Sequence, residues 1–389
     1  MKRGLSGRYE VTAAFGEQVR AFVPHPLPPA PPVDLDGALG ALLDRAAVAI
    51  GRLDGISIVL PDPDIFLYSY IRKEAVLSSM IEGTQSSLSD LLLYEMDGAP
   101  GALTEDAAEV SRYVAALEKG LHLLREGMPI SLRLLREIHA ELLAHGRGSN
   151  KEPGEFKRSQ NWIGGTRPGN ARFVPTPPDL VLETLGAWEK FLHDDPVPTR
   201  TLVKAALAHV QFETIHPFLD GNGRLGRLLI TFLLCSEGAL RQPLLYLSLY
   251  LKQHRARYYE LLQEVRLNGD WEAWLEFFLT GVRETAEQAA ATASELLALF
   301  QRDRQRLYTE GGSGASVLRL HEHLQRRPIT SAAQAAGAIQ ASIPTATSAL
   351  RKLESLGIIR ELTGGAYRRL YGYSAYLEIL NEGTDPIFA

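Results

Sequence analysis

From residue 62 to about residue 310, apolar side chains return every three to four positions. That period admits packed helices and little else. The segments PDIFLYSYIRKEAVLSSMIEG, TEDAAEVSRYVAALEKGLHLL, ISLRLLREIHAELL, TRTLVKAALAHVQFETI and RLGRLLITFLLCSEG each present one apolar stripe. Thr104 is the expected cap of the second, with two acids in its first turn. Upstream, DLDGALGALLDRAAVAIGRL has the same period and follows a Pro-rich arm, HPLPPAPP at 25–32, expected to be extended. One stretch breaks the pattern: residues 153–178, PGEFKRSQNWIGGTRPGNARFVPTPP, are rich in Gly and Pro. Short strand-like pieces at NWIGG and ARFVP predict a β-hairpin or loop.

A linker is expected at TEGGSGAS, residues 309–316. Beyond it, VLRLHEHLQ reads as a helix, SAAQAAGAI as a second capped by Thr330, and TATSALRKLESLG as a third. Ser342 and Pro344 open that third helix and Gly357 stops it. IIREL and YRRLYGY then read as strands joined through Thr363, Gly364 and Gly365. Three helices followed by a two-stranded wing is the order of a winged helix-turn-helix. The fold expected is therefore mainly α, with a β-hairpin in the helical core and a C-terminal winged helix-turn-helix domain.

Composition narrows the class. A chain of 389 residues suggests two or three domains, and 45% hydrophobic residues suffice for a sizeable core. The net charge of −5 argues against a general polyanion binder. The single cysteine, Cys235, excludes a disulfide within the chain and fits a reducing compartment. No apolar run approaches the roughly 18 residues of a membrane span, and the N-terminus, MKRGLSGRYEVTAAFGE, lacks the apolar core of a secretory signal. The expected location is cytoplasmic, without membrane contact.

The chemistry concentrates in HPFLDGNGRLGR, residues 216–227. Helix-period residues end at Ile215 and resume at Arg224, so the stretch reads as helix, tight loop, helix. Gly221, Asn222 and Gly223 can turn successive N–H groups toward an anion, at a helix N-terminus that already carries partial positive charge. Arg224 and Arg227 share a helix face, in what reads as the first turn, where the helix dipole repels cations by up to about 1 kcal/mol. A polyanion above them resolves that repulsion, and a nucleotide polyphosphate fits best. Asp220 would repel it unless a divalent cation lies between, and one carboxylate with phosphate oxygens is a usual way to hold Mg²⁺. His216 is then a candidate general base. The pattern GxxxxGK[ST] of a P-loop is absent, and so is GxGxxG.

HPFLDGNGRLGR closely resembles the signature of the Fic family, HxFx(D/E)GNGRxxR, with every fixed position filled. GEFKRSQNWIGG with ARFVP looks like the family's flap, and LYLSLYLKQHRARYYELLQEVRLNGDWEAWLEFF like its continuation. The resemblance covers roughly residues 60 to 280. It implies transfer of AMP from ATP to a Ser, Thr or Tyr hydroxyl of a protein target, with self-modification as one case. His216 would take the hydroxyl proton, and Asp220 would hold Mg²⁺ against the phosphates. Gly221, Asn222 and Gly223 would bind phosphate oxygens, and Arg224 and Arg227 would clamp the β- and γ-phosphates. Gly226, between the arginines, counts with the nucleotide site. Ile163, Gly164, Gly165 and Thr166 match the flap beside the nucleotide, which in the family also pairs with the target's main chain. Tyr258 and Tyr259 match paired tyrosines near the nucleoside, with core packing as the equal alternative. Arg266 stands where some relatives have Asn. Fic relatives often pair, so a homodimer is expected.

LSSMIEG, residues 77–83, holds a second misplaced charge. Gly83 reads as a helix C-cap, so Glu82 falls in the last turn, where the dipole disfavours an anion. The segment resembles the family's inhibitory motif, (S/T)xxxE(G/N), filled by Ser78, Glu82 and Gly83. Glu82 and Arg227 each suit the other, and a pair between them would withhold Arg227 from the γ-phosphate. The resemblance divides the chain into an N-terminal extension with the inhibitory helix (1–95), a catalytic core (96–308) and the winged helix (315–380). Residues 315–375 hold eight Lys or Arg and three acids. That permits DNA contact through Arg351 and Lys352 on the recognition helix and Arg368 and Arg369 on the wing. Dimerisation or partner docking is an equal reading of this unit. His321 and His323 form no metal set and are expected to be exposed. A DNA-binding regulator that senses nucleotide without turnover is the alternative to the enzyme, as is removal of AMP from the target.

Overall fold

The computed structural model of the chain describes residues 1–59, 64–96, 105–310, 314–364 and 369–385. Strands β1 (Gly7–Ala14) and β2 (Glu17–Pro24) form an antiparallel hairpin. Five helices follow: α1 (Ala38–Val59), α2 (Asp64–Ile81), α3 (Leu88–Tyr94), α4 (Glu105–Arg125) and α5 (Leu132–Leu142). After a long loop come α6 (Val181–Leu192), α7 (Thr201–Ile215), α8 (Asn222–Ser236), α9 (Ser248–Gln253), α10 (Arg255–Asn268) and α11 (Trp271–Thr309). The C-terminal unit is α12 (Ala315–Arg326), β3 (Ile329–Ser331), α13 (Ala332–Ala338), α14 (Ile343–Ser355), β4 (Ile359–Glu361), β5 (Leu370–Tyr373) and α15 (Ser374–Asn381). Its three strands lie in the order β3-β5-β4, all antiparallel.

Helix α7 is the axis of the core. It is buried from Leu202 to Ile215, as a helix without a polar face must be. Helices α6, α8, α10 and α11 surround it, and β2 closes one side. Two indoles fix its position: Trp188 donates to the Ala208 carbonyl and Trp274 to that of Ala206, each at 2.9 Å. Helix α8, which carries the arginines, packs on α7, α4 and α5. Gly120 of α4 permits that approach, because a Cβ there would lie 2.3 Å from Phe232 of α8.

The helical period holds across the chain, with several differences in detail. The hairpin β1-β2 was not anticipated, because the Pro-rich arm behind it dominated the reading of this region. Helices α3 and α6 were also unmarked, and α11 continues unbroken for 39 residues. The break at 153–178 is a loop with a single antiparallel bridge, Ile163 to Phe173. Ser331, not Thr330, caps α13, its hydroxyl accepting from the Gln334 N–H, while Thr330 lies in β3. His321 is fully buried rather than exposed, against the Tyr373 hydroxyl at 3.3 Å. The expected cap Thr104, and Gly365 and Arg368 of the expected wing, lie outside the described residues. Among the described residues no helix is long and apolar enough to cross a membrane.

Two helical glycines should answer oppositely to a methyl group. Gly51 in α1 has open space around its Cβ position, so Gly51→Ala should stabilise the fold by about 0.5–1 kcal/mol. Gly120→Ala should destabilise it by about 1–3 kcal/mol, because Phe232 must move. Urea unfolding of the two variants beside wild type measures both.

Candidate functional site

The loop between α7 and α8 is held by its own side chains and by its neighbours. Ile215 ends α7, and His216 caps it in the left-handed region (φ 50°), its N–H on the Phe212 carbonyl at 2.9 Å. Gly221 is also left-handed, at φ 75°, where a side chain would be strained. Asn222 turns inward: its Oδ1 accepts the Phe218 N–H at 2.9 Å and its Nδ2 donates to the Phe218 carbonyl at 2.8 Å. Asn161 adds bonds to the carbonyls of His216 (3.0 Å) and Phe218 (2.7 Å). Lys157, buried, donates to Asn161 Oδ1 at 2.6 Å, and burial holds its pKa well below the usual lysine value.

His139 of α5 fixes the other side of the loop. Its Nδ1 accepts the Gly154 N–H at 2.8 Å, so its Nε2 carries the proton and donates to the Asp220 carbonyl at 3.0 Å. The imidazole stacks on Phe218 with centroids 3.8 Å apart. Burial lowers its pKa to about 4, against the pull of the Asp220 carbonyl.

His216 is half-buried, with Nδ1 turned inside without a hydrogen-bond partner, 3.9 Å from Glu213 Oε2. The exposed edge of the ring is therefore the Nε2 edge. Burial and the nearby Lys157 lower its pKa to about 3, so the imidazole is neutral. Glu213, one turn earlier on α7, is buried, and burial raises its carboxyl to about 7 against the pull of Arg227. A Cβ on Gly226 would stand 2.6 Å from Glu213 Oε1. Gly226 thus serves the packing of α8 on α7 and faces away from the anion site where it was expected.

Both arginines are buried and both meet carboxylates. Arg224 Nη1 donates to Glu109 Oε1 of α4 at 2.7 Å. Burial raises the Glu109 pKa and Arg224 opposes it. Arg227, in the second turn of α8 rather than the first, donates from Nε to Ser78 Oγ (2.8 Å) and from Nη2 to the Ser78 carbonyl (3.0 Å) and Glu82 Oε1 (2.7 Å). Burial would raise the Glu82 pKa, but Arg227 overrides it and holds the carboxyl below its usual value. Glu82 is the first residue past α2, and Gly83 follows at φ 103°. A Cβ on Gly223 would lie 2.2 Å from Glu82 Oε1, so the carboxylate sits against the start of α8. The side chain of Asp220 is 29% exposed, with Oδ1 accepting the Gly221 N–H at 2.6 Å.

The flap residues Ile163 to Thr166 form the outer edge of the loop, with Gly164 and Gly165 at φ 69° and 72° and Ile163 exposed. Thr166 is tied to Asn170 through its N–H at 3.0 Å. The hairpin β1-β2 braces this loop: the Phe22 N–H donates to the Val174 carbonyl, and Glu17 binds Arg167 and the Gly169 N–H. Tyr258 belongs to the core, its hydroxyl on His209 Nε2 at 2.8 Å, which resolves its two readings toward packing. Tyr259 is half-buried beside Arg255. Arg266 is buried over the Phe173 ring at 3.9 Å, and burial lowers its pKa to about 10.

Four residues of this site escaped the sequence reading: Glu109, His139, Lys157 and Glu213. Glu109 was detectable as an acid on the buried face of α4, among Ala107, Val110 and Tyr113. Glu213 was detectable as an acid one turn before His216. His139 gave no signal, because its partners are main-chain groups of other segments, and Lys157 gave none, because a loop lysine is ordinarily exposed.

The neutrality of His139 has a pH consequence. Its folded pKa lies below the unfolded value of about 6.5, so the unfolded state takes up the proton first. The contribution is complete above pH 6.5 and is lost as pH falls through about 4. The stability lost in His139→Ala should be largest at pH 7 and shrink by about 2–3 kcal/mol by pH 4. Denaturant titrations of variant and wild type at both pH values measure it.

Comparison with known proteins agrees with this geometry. Residues 41–122 match the Fic/DOC family N-terminal model and residues 129–234 the Fic/DOC family model. Protein adenylyltransferase Fic of Aedes aegypti is 36% identical over 168 residues, covering 43% of this chain and 30% of that protein. Its namesake in Drosophila melanogaster is 33% identical over 174 residues, covering 44% and 32%. The chain thus spans about a third of the length of the curated relatives it matches. A Fic family protein from Desulfovibrio desulfuricans G20 shares the fold with a TM-score of 0.52 at 20% identity, over 85% of this chain and 95% of that one. Fic-1 (residues 134–508) from C. elegans has a TM-score of 0.51 at 23% identity, over 66% and 74%. The chain carries a Fic/DOC family N-terminal region over residues 41–122 and a Fic/DOC family domain over residues 129–234.

Proposed function

We propose that this protein is an adenylyltransferase that moves AMP from ATP to a hydroxyl side chain of a protein target, and that Glu82 restrains it. The observation that carries the reading is a carboxylate, that of Glu82, seated against Gly223 and Arg227 at the N-terminus of α8. An anion already occupies the place where the loop amides and a buried guanidinium converge. In this reading residues 1–95 supply the restraining helix, 96–308 the catalytic core and 315–380 a winged helix.

The chemistry follows from the groups present. The triphosphate lies over the start of α8, with its terminal phosphates on Arg224 and Arg227. The neutral imidazole of His216 accepts the proton of the target hydroxyl at Nε2. The hydroxyl oxygen attacks the α-phosphorus, the bond to the β-phosphate oxygen breaks, and pyrophosphate leaves. Asp220, a partly exposed carboxylate beside a phosphate site, suits Mg²⁺ and would hold it together with phosphate oxygens. Bound there, the ion would offset phosphate charge. Among the described residues no three His, Cys, Asp or Glu gather into a further metal site.

Ser78 gives the restraint its form. It holds Nε and one side of Nη2 of Arg227, while Glu82 takes the other side of Nη2. When Glu82 withdraws, the guanidinium stays aimed and a phosphate oxygen takes the vacated position. Strand addition of the target to the outer flap edge, at Ile163 and Gly164, would present its hydroxyl to His216. Removal of AMP from the target would use the same groups with water in place of pyrophosphate. DNA contact has less support: Lys352 donates to the Glu310 carbonyl at 3.4 Å, which leaves Arg351 as the exposed cation on α14.

Incubation with Mg²⁺ and ATP labelled at the α-phosphate should place label on protein. Glu82→Gly should raise it by about 10- to 100-fold, the equivalent of one charge-assisted hydrogen bond. His216→Ala in that background should abolish it. Label arriving from the γ-phosphate, or an unchanged rate in Glu82→Gly, would reject the reading.

A further inference from the structure

Glu82 and Glu109 each hold one of the two arginines of α8, but they are not placed alike. Glu82 stands past the end of α2, with a side chain 31% exposed. Glu109 lies in the second turn of α4, among the buried Ala107, Val110 and Tyr113, with a side chain 8% exposed. Arg224 is enclosed as well, and its Nη1 donates to Glu109 Oε1 at 2.7 Å. A carboxylate inside a packed helix cannot swing into water as one beyond a helix end can. Withdrawing it would leave two uncompensated charges in the interior, each costly to bury. Glu109 is therefore a standing partner of Arg224, where Glu82 is an exchangeable partner of Arg227.

Arg224 has a second carboxylate nearby. Asp220, four positions earlier, holds Oδ1 3.8 Å from Arg224 Nη2, just beyond hydrogen-bonding distance. Residues four apart at the start of a helix lie close enough to pair. Asp220 is itself fixed: Oδ1 accepts the Gly221 N–H at 2.6 Å, and a Cβ on Gly148 would lie 3.0 Å from Oδ2. Whether the two groups meet is thus decided by the arginine. With Nη1 on Glu109, Nη2 stops short of Asp220 and faces the start of α8, where a phosphate oxygen can accept from it. Without Glu109, the nearest anion for the buried guanidinium is Asp220. Closing that gap would consume, in one ion pair, both a phosphate ligand and the carboxylate suited to a divalent cation.

We propose that Glu109 is a positioning residue: it anchors Arg224 away from Asp220, so that the guanidinium meets phosphate and the carboxylate stays available to the cation. The consequence for catalysis rests on the adenylyl-transfer reading; the consequence for phosphate binding does not.

The test uses the full chain carrying Glu82→Gly, so that Arg227 is open, and inorganic pyrophosphate titrated calorimetrically without metal. Glu109→Met, which fills the same space but offers no strong acceptor, should weaken pyrophosphate binding at least about tenfold. Glu109→Gln, whose amide oxygen can still accept from Nη1, should keep most of the affinity. Added to Arg224→Met, Glu109→Met should cause little further loss, because a residue acting through Arg224 has nothing left to act on. All variants are compared at a temperature where circular dichroism shows each one folded. With ATP labelled at the α-phosphate, Glu109→Met should also raise the Mg²⁺ concentration needed for half-maximal transfer, which loosening of the fold alone would not do. Undiminished pyrophosphate affinity in Glu109→Met, an equal loss when it is added to Arg224→Met, or no binding to the Glu82→Gly parent would overturn the proposal. Faster transfer in Glu109→Met would overturn it too, by making Glu109 a second restraint. The expected binding pattern with no AMP transfer by any variant would overturn the catalytic reading alone.

Discussion

A guanidinium buried beside the start of a helix is the constraint from which the rest of this site follows. Arg227 is almost fully enclosed, and an unpaired buried charge costs several kcal/mol. The chain meets that cost with three hydrogen bonds from the end of α2: two from Ser78 and one from Glu82. Helix α2 must therefore lie where Ser78 and Glu82 reach α8, and its buried face, from Phe66 to Ile81, is shaped to keep it there. The partners differ in how firmly they are held. Ser78 lies within the helix and is buried, whereas Glu82 lies past the helix end with a side chain 31% exposed. The less restrained group is the one standing where a phosphate would bind, so the exchange of one anion for another leaves the helix in place.

The loop in front of Arg227 shows the opposite character. Asn222, Asn161, Lys157 and His139 bond to its carbonyls or to one another from both sides, leaving little freedom at His216 or Asp220. Gly221, Asn222 and Gly223 were read as a nest of N–H groups for phosphate; the side chain of Asn222 serves the loop's own closure, and the Gly221 N–H is held by Asp220 Oδ1. A fixed receptor with an exchangeable occupant suits catalysis by preorganisation, since donors already in position need not be reorganised at each turnover. The neutral form of His139 favoured by burial belongs to the same design, because a charged imidazole there would compete for the site's anion or repel its cation.

What the sequence made legible divides by the range of the interaction. Helical period marked α1, α2, α4, α5, α7 and α8, because an apolar stripe is a local property of a dozen residues. The motif from His216 to Arg227 was legible because its groups are adjacent, and Glu82 because a charge at the wrong helix end is visible without a structure. Glu109 and His139 were not, since their meaning depends on partners 115 and 81 positions away. The hairpin β1-β2 had a signal, with Tyr9 and Val11 alternating on one strand, Val19, Ala21 and Val23 on the other, and Phe15-Gly16 between them. Its role did not, because the loop it braces lies some 150 residues further on. Gly226 shows the converse error: it stands inside the nucleotide motif in sequence, yet it packs against the α7 core. Tyr258, for which packing and nucleotide contact were equal readings, also packs against α7 through His209.

The C-terminal unit is joined to the rest by more than its linker. Tyr376 of α15 meets the Ser69 hydroxyl at 2.9 Å and the Ile65 carbonyl at 3.1 Å, both on α2. Tyr373 donates to Asp303 of α11 at 2.8 Å, with His321 packed behind it. These contacts are buried and polar, so they hold only in one geometry, and separating the surfaces would strand their donors. Helix α2 is therefore gripped at its N-terminal half by the C-terminal unit and at its C-terminal end by Arg227. The C-terminal unit and Arg227 thus meet the same helix, and the position of Glu82 against α8 rests on both sets of contacts.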